Sequence, residues 1–188
     1  MSEEQGQVRK EELDQPARAR RRLALAQIRQ YGDPALRLTA REVDTFDDDL
    51  ARLAERMIAL MHDASGVGLA ATQIGVLQRL FVVEPAGEEP RALVNPRIVE
   101  RSPETEVDDE GCLSLQGVLV PVERNVRVTV EALDLHGAPL RVEFSDLGAR
   151  VVQHEFDHLD GTLIIDRTDP ESRRGALAAL RPKPLLYS

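Results

Sequence analysis

His154, Glu155, Phe156, Asp157 and His158 spell H-E-x-x-H, a spacing with which one helix can present two imidazoles to one metal ion. Positions i and i+4 of a helix share a face, so both rings come within reach of a single cation. Glu155 lies about 100° further around the helix, and its carboxylate can approach a water on that cation without taking a ligand position. The chemistry implied is metal-assisted hydrolysis, with Glu155 moving the proton. Two plainer readings compete. A solvated helix carrying these residues by accident is expected in only roughly one chain in a hundred of such composition. A structural zinc site is usually closed by four protein ligands and does not bring an acid with it.

A catalytic site of this kind needs a third protein ligand and keeps its fourth position for water. The long zinc-protease signature H-E-x-x-H-x-x-G-x-x-H is met at Gly161, but its last position holds Ile164, which cannot bind metal. Asp166, Asp169 and Glu171 stand very close behind the motif, which argues against the protease arrangement with a downstream carboxylate. Cys112 is the stronger candidate, because a thiolate suits divalent first-row metals and this cysteine follows a glycine rather than joining an apolar stripe. On residue type alone a lone cysteine is more often a buried packing residue. That alternative stays open at this stage.

These side chains need a helix and a sheet to hold them. Asp47, Asp48 and Asp49 place negative charge at a helix start, and Leu50, Leu53, Ala54, Met57, Ile58 and Met61 recur at three- and four-residue steps. Gly66 and Gly68 break that helix, and Leu69 to Ile74 read as the beginning of a short second one. Leu80 to Val83 and Ala92 to Val99 are apolar runs of strand length. Val126, Val128, Val130 and Ala132 alternate, as do Leu140, Val142 and Phe144 after the turn at His136 and Gly137, so a hairpin spans about 126 to 144. Ser145 or Asp146 caps a helix running through His158, and Gly161 ends it. The expected fold is α+β, with antiparallel β-sheets packed around the H-E-x-x-H helix of the C-terminal half and a further helix nearer the N-terminus.

With 188 residues the chain has the length of one domain, and 42% hydrophobic against 30% charged residues is globular composition. Aromatics are only 3% and Trp is absent, so the core must be aliphatic. A net charge of −9 excludes a surface that tracks nucleic acid throughout. No stretch approaches the roughly 20 apolar residues of a membrane-spanning helix. Arg18, Arg20, Arg21 and Arg22 precede only Leu23 to Ala26, too little for a signal peptide, while Glu3, Glu4, Glu11, Glu12 and Asp14 fit poorly with a transit peptide. A single cysteine agrees with a reducing compartment, and a cytoplasmic chain is expected. Residues 1–26 lack an apolar period and read as a charged extension or loosely held helix without a catalytic role. Arg173, Arg174, Arg181 and Lys183 beside Leu177 and Leu180 read as a short basic helix closed by Pro182 and Pro184.

Glu110-Gly111-Cys112-Leu113-Ser114 and His154-Glu155-Phe156-Asp157-His158-Leu159-Asp160-Gly161 resemble the second and third signature motifs of the peptide deformylases. Gly66-Val67-Gly68-Leu69-Ala70-Ala71-Thr72-Gln73 resembles the family's glycine-rich first motif, and Tyr31-Gly32-Asp33-Pro34 through Leu36-Arg37 its usual opening. The likeness runs from about Ile28 to Asp166. It implies a catalytic domain over 27–168, flanked by the extension 1–26 and a short basic tail 169–188. It also implies that Cys112, His154 and His158 bind one divalent metal, Fe(II) in the cell with Zn(II), Ni(II) or Co(II) as substitutes. Glu155 would take a proton from the attacking water and give it to the leaving amine. Gln73 and the Leu113 N–H would hold the developing oxyanion. Val67, Gly68 and Gly111 would meet the substrate backbone, with Leu113 and Val151 against the methionine side chain. The implied substrates are N-formyl-methionyl nascent peptides, with a transient ribosome contact through the C-terminal segment and a monomeric enzyme. Gln116 departs from the family's usual proline before Gly117.

Overall fold

The computed structural model describes residues 3–5, 7–10, 14–85 and 87–181. The chain opens with a small hairpin, β1 (Glu3–Gln5) and β2 (Val8–Lys10), followed by α1 (Gln15–Leu25) and α2 (Asp48–Asp63). Strands β3 (Gly68–Ala70), β4 (Leu80–Val83), β5 (Arg91–Arg101), β6 (Thr105–Cys112), β7 (Leu115–Asn125), β8 (Arg127–Leu133) and β9 (Pro139–Ser145) come next. Helices α3 (Asp146–Leu159) and α4 (Pro170–Leu180) complete the order. All pairs among the described strands are antiparallel. They form a five-stranded sheet in the order β3-β4-β5-β8-β9 and two separate hairpins, β1-β2 and β6-β7.

Each layer follows from a local signal. Asp47 caps α2 by accepting from the Asp49 and Leu50 N–H groups, and Asp48 and Asp49 fill its first turn. Its apolar face buries Leu50, Ala54, Met57, Leu60 and Met61, and Leu50, Met57, Leu60 and Met61 share one core cluster with Leu25, Val43, Leu69 and Val82. In β8 the alternation sends Val128, Val130 and Ala132 inward, where they join Phe81, Val151 and Val152 beneath α3. Nearly every residue of α3 from Ala149 to Leu159 is buried. It packs on β3, β4, β8 and β9 of the five-stranded sheet and on β7 of the β6-β7 hairpin, so the helix expected to carry the chemistry is held by strands of both.

Several expectations are corrected. Leu69 to Ile74 is helical only in its second half: Leu69 and Ala70 pair with Val82 and Phe81 of β4, and Ala71–Ile74 form a short 3₁₀ helix. Strand pairing and full burial override the local helical preference of that segment. The long β6-β7 hairpin was unread because residues 105–109 are exposed and largely acidic, which hides the alternation. Residues 15–25 are not a loose tail, since α1 packs on α2 and places Ala24 and Leu25 in the core. The boundary at residue 26 therefore cuts through packed structure. Helix α4, capped by Asp169, packs on β7 with Ala176 buried; Pro182, Lys183 and Pro184 lie outside the described residues. Ser145 sits at the N-cap of α3 without a side-chain capping bond. Among the described residues no helix is long and apolar enough to cross a membrane.

Candidate metal centre

Helix α3 presents His154 and His158 one turn apart on one face, their Nε2 atoms 3.2 Å from each other. Cys112 ends β6, where a register shift between Gly111 and Cys112 turns the chain inward. Its Sγ stands 3.3 Å from His158 Nε2. The three ligand atoms lie within 4.8 Å of one another and all three residues are buried. In a tetrahedral site with bonds of 2.0 to 2.3 Å, neighbouring donor atoms stand roughly 3.3 to 3.6 Å apart, so the set fits one cation. Its chemistry fits as well. Burial pushes the Cys112 thiol up and the His158 imidazole down, which leaves uncharged donors around a point that a cation would satisfy and whose charge would draw off the thiol proton.

Behind the histidines lies a buried ion network. His154 Nδ1 is 3.0 Å from Glu110 Oε2. Arg124 donates to both Glu110 oxygens at 2.9 and 3.0 Å and to Asp157 at 2.7 Å, and Arg150 donates to Glu110 at 2.9 Å. Burial by itself raises the Glu110 carboxyl, but hydrogen bonds from His154 and Arg124 outweigh it and hold this acid well below the usual carboxylate range. An ionised Glu110 keeps the proton of His154 on Nδ1 and so turns the Nε2 lone pair toward the cation site.

Glu155 projects from the same helix and is fully buried, and that burial pushes its carboxyl well above the ordinary value. Its Oε2 has no hydrogen-bond partner among the described residues. Gly68 makes room for it, because a Cβ there would stand 2.3 Å from Glu155 Oε1. Gln73 is fixed by the Ala70 N–H, which donates to its Oε1 at 2.9 Å, and by Ser114 Oγ, 3.0 Å from its Nε2. Gln73 Nε2 and the Leu113 N–H converge on one further oxygen, Gln7 Oε1, at 3.0 and 2.9 Å. The structure thus brings Cys112, His154, His158, Glu155, Gln73, Gly68 and Leu113 together. Val67 and Gly111 meet at the same place, each hydrogen-bonded to the backbone of Gln7. Val151 packs beside Gly68.

Sequence reasoning assigned no role to Gln7, Ser114, Arg124 or Arg150. Arg124 carried a signal: it shares inward strand parity with Val118, Val120 and Val122, and an arginine on a buried face requires an anionic partner. Gln7 carried none, being one amide in a polar stretch. Ile164, at the position where the zinc-protease signature has its third histidine, is buried among Leu36, Val120 and Ile165.

The profile of the polypeptide deformylase family matches residues 25–174. The chain belongs to that family. Among its deformylase relatives, the peptide deformylase of Thermotoga maritima is 49% identical over 146 residues, which are 78% of this chain and 88% of that protein. That of Acidothermus cellulolyticus is 48% identical over 159 residues, 85% of this chain and 87% of its own length. The crystal structure of the Thermotoga maritima deformylase superposes with a TM-score of 0.74, covering 76% of this chain and 97% of the other. Deformylases are metal-dependent hydrolases, and the cluster of Cys112, His154 and His158 is where such an ion fits.

Proposed function

We propose that Cys112 Sγ, His154 Nε2 and His158 Nε2 hold one divalent ion, Fe(II) in the cell, with Zn(II), Ni(II) or Co(II) as working substitutes. The chain is a peptide deformylase: it hydrolyses the N-terminal formyl group of N-formyl-methionyl nascent polypeptides and releases formate. A divalent ion at this position supplies Lewis acidity toward water and the formyl carbonyl. Glu155 takes a proton from the water that attacks the formyl carbon, and the carbonyl oxygen gains negative charge facing Gln73 Nε2 and the Leu113 N–H. The proton then passes from Glu155 to the amine nitrogen as the C–N bond breaks. Val67, Gly68 and Gly111 hold the extended substrate backbone, and Leu113 and Val151 wall the methionine pocket.

The observation that carries this assignment is the convergence, at one buried point, of three donor atoms within 4.8 Å of one another with Glu155 beside them. The test is formate release from formyl-Met-Ala-Ser by the Fe(II)- or Ni(II)-loaded protein; intact metal without formate ends the proposal. Elemental analysis of anaerobically purified protein identifies the native ion, and Cys112→Ala is expected to lose it entirely. The enzyme works in the cytoplasm as a monomer, and the exposed Arg174 and Arg181 of the C-terminal segment provide a transient ribosome contact. Ribosome co-sedimentation unaltered in an R174A/R181A double variant would remove that last element.

A further inference from the structure

Gln7 lies between β1 and β2, outside the residues 25–174 that match the family, and it is fully buried in the catalytic centre. Its backbone bridges the two edges expected to hold substrate. The Gln7 N–H donates to the Gly111 carbonyl at 3.2 Å, and its carbonyl accepts from the Val67 N–H at 3.0 Å. The side chain then reaches the reacting groups. Gln7 Oε1 accepts from the Leu113 N–H at 2.9 Å and Gln73 Nε2 at 3.0 Å, and lies 3.4 Å from Cys112 Sγ. Gln7 Nε2 donates to Glu155 Oε1 and to Gln73 Oε1, both at 2.8 Å.

A carboxamide and a formamide share a carbonyl oxygen bound through one carbon to an N–H nitrogen. Gln7 presents that unit in the orientation a substrate amide needs, with oxygen on the two oxyanion donors and nitrogen on the proton carrier. Every polar atom of the group is partnered, so its burial carries no uncompensated desolvation cost. The backbone contacts copy those of an added strand. We propose that the N-terminal hairpin is an intramolecular, substrate-like blocker of the active centre, with Gln7 occupying the formyl-amide position, so that the hairpin must leave before a nascent peptide can bind. The inference rests on the deformylase reading of the site and adds a layer of self-inhibition to it.

A tethered competitor raises the apparent KM and leaves kcat unchanged, because saturating substrate displaces it. The experiment compares the metal-loaded full chain with its Gln7→Ala variant, which removes the carboxamide and none of the machinery. Loss of its hydrogen bonds is expected to lower KM for formyl-Met-Ala-Ser about tenfold with kcat unaltered. Amide hydrogen exchange at Leu113, measured without substrate, is expected to accelerate in the variant. A synthetic peptide of residues 3–10 is expected to inhibit the variant competitively. Equal KM and equal Leu113 exchange in the two proteins overturn the proposal. So does a fall in kcat at fixed KM, which would make Gln7 part of the working site. Should neither protein release formate, the deformylase reading fails, while Leu113 exchange still decides whether Gln7 holds the centre.

Discussion

Glu110 and Glu155 are both glutamates with 0% exposure; Glu110 meets His154 Nδ1 from the β6-β7 hairpin, and Glu155 follows His154 directly on α3. Burial raises both carboxyls. Around Glu110 the fold gathers His154, Arg124 and Arg150, and the hydrogen bonds from His154 and Arg124 reverse that push and keep it ionised. Around Glu155 burial, joined by the negative charge of Glu110, outweighs the Gln7 hydrogen bond, and Oε2 has no partner among the described residues, so the push persists. The difference teaches that depth alone does not assign a role. A carboxylate locked by cations orients a ligand, whereas one that burial pushes upward is suited to exchange a proton.

Four substitutions break or sharpen the contrast. The largest effect is expected from Glu155→Gln, which removes the exchangeable proton: turnover should fall by about 10²- to 10⁴-fold at unchanged metal content, measured by formate assay beside elemental analysis. Retention of most activity would transfer the proton-carrying role elsewhere. Next is Arg124→Ala, which takes away the cation shared by Glu110 and Asp157 and should cost about 3–5 kcal/mol in urea unfolding. A negligible cost would mean that Arg150 and Arg167 suffice for the two acids.

Glu110→Gln is milder, because the shape is kept and only the charge behind His154 is lost. Metal affinity is expected to drop about 10- to 100-fold in chelator competition. The same variant should flatten the acid limb of stability. Since the folded-state value of Glu110 is depressed, its contribution is present above the unfolded value of about 4.3 and is lost as pH falls through the folded one. Acid unfolding curves that coincide for both proteins would contradict the ionised assignment. The smallest effect is expected at Arg141, which bridges Glu100 and Glu131 on the exposed sheet face as Arg124 bridges Glu110 and Asp157 inside. Arg141→Ala should leave the unfolding midpoint unmoved, because water and salt screen the pair.

The histidines, Glu155 and Cys112 were legible because ligand chemistry restricts residue type and a helix restricts spacing. The β8-β9 hairpin was legible because one of its faces is apolar and a turn stands between its strands. The ion network was not, since Glu110, Arg124 and Arg150 meet only through the β6-β7 pairing and the packing of α3. β3 was misread because three residues carry too little alternation to distinguish strand from helix. Gln7 was beyond reach for a related reason: its place is set by long-range partners 66 and 148 positions away.

Cys112 and His158 are 46 positions apart and belong to different layers. The thiol and the imidazoles therefore meet only after β6-β7 and α3 have docked, when the intervening chain has already given up its loop entropy. A nascent chain still emerging holds its cysteine and histidines as separate weak ligands, so selective ion capture marks completion of the domain. Once captured, the ion favours the docked state by mass action, and its removal is expected to loosen the junction between the hairpin and the helix before the five-stranded sheet.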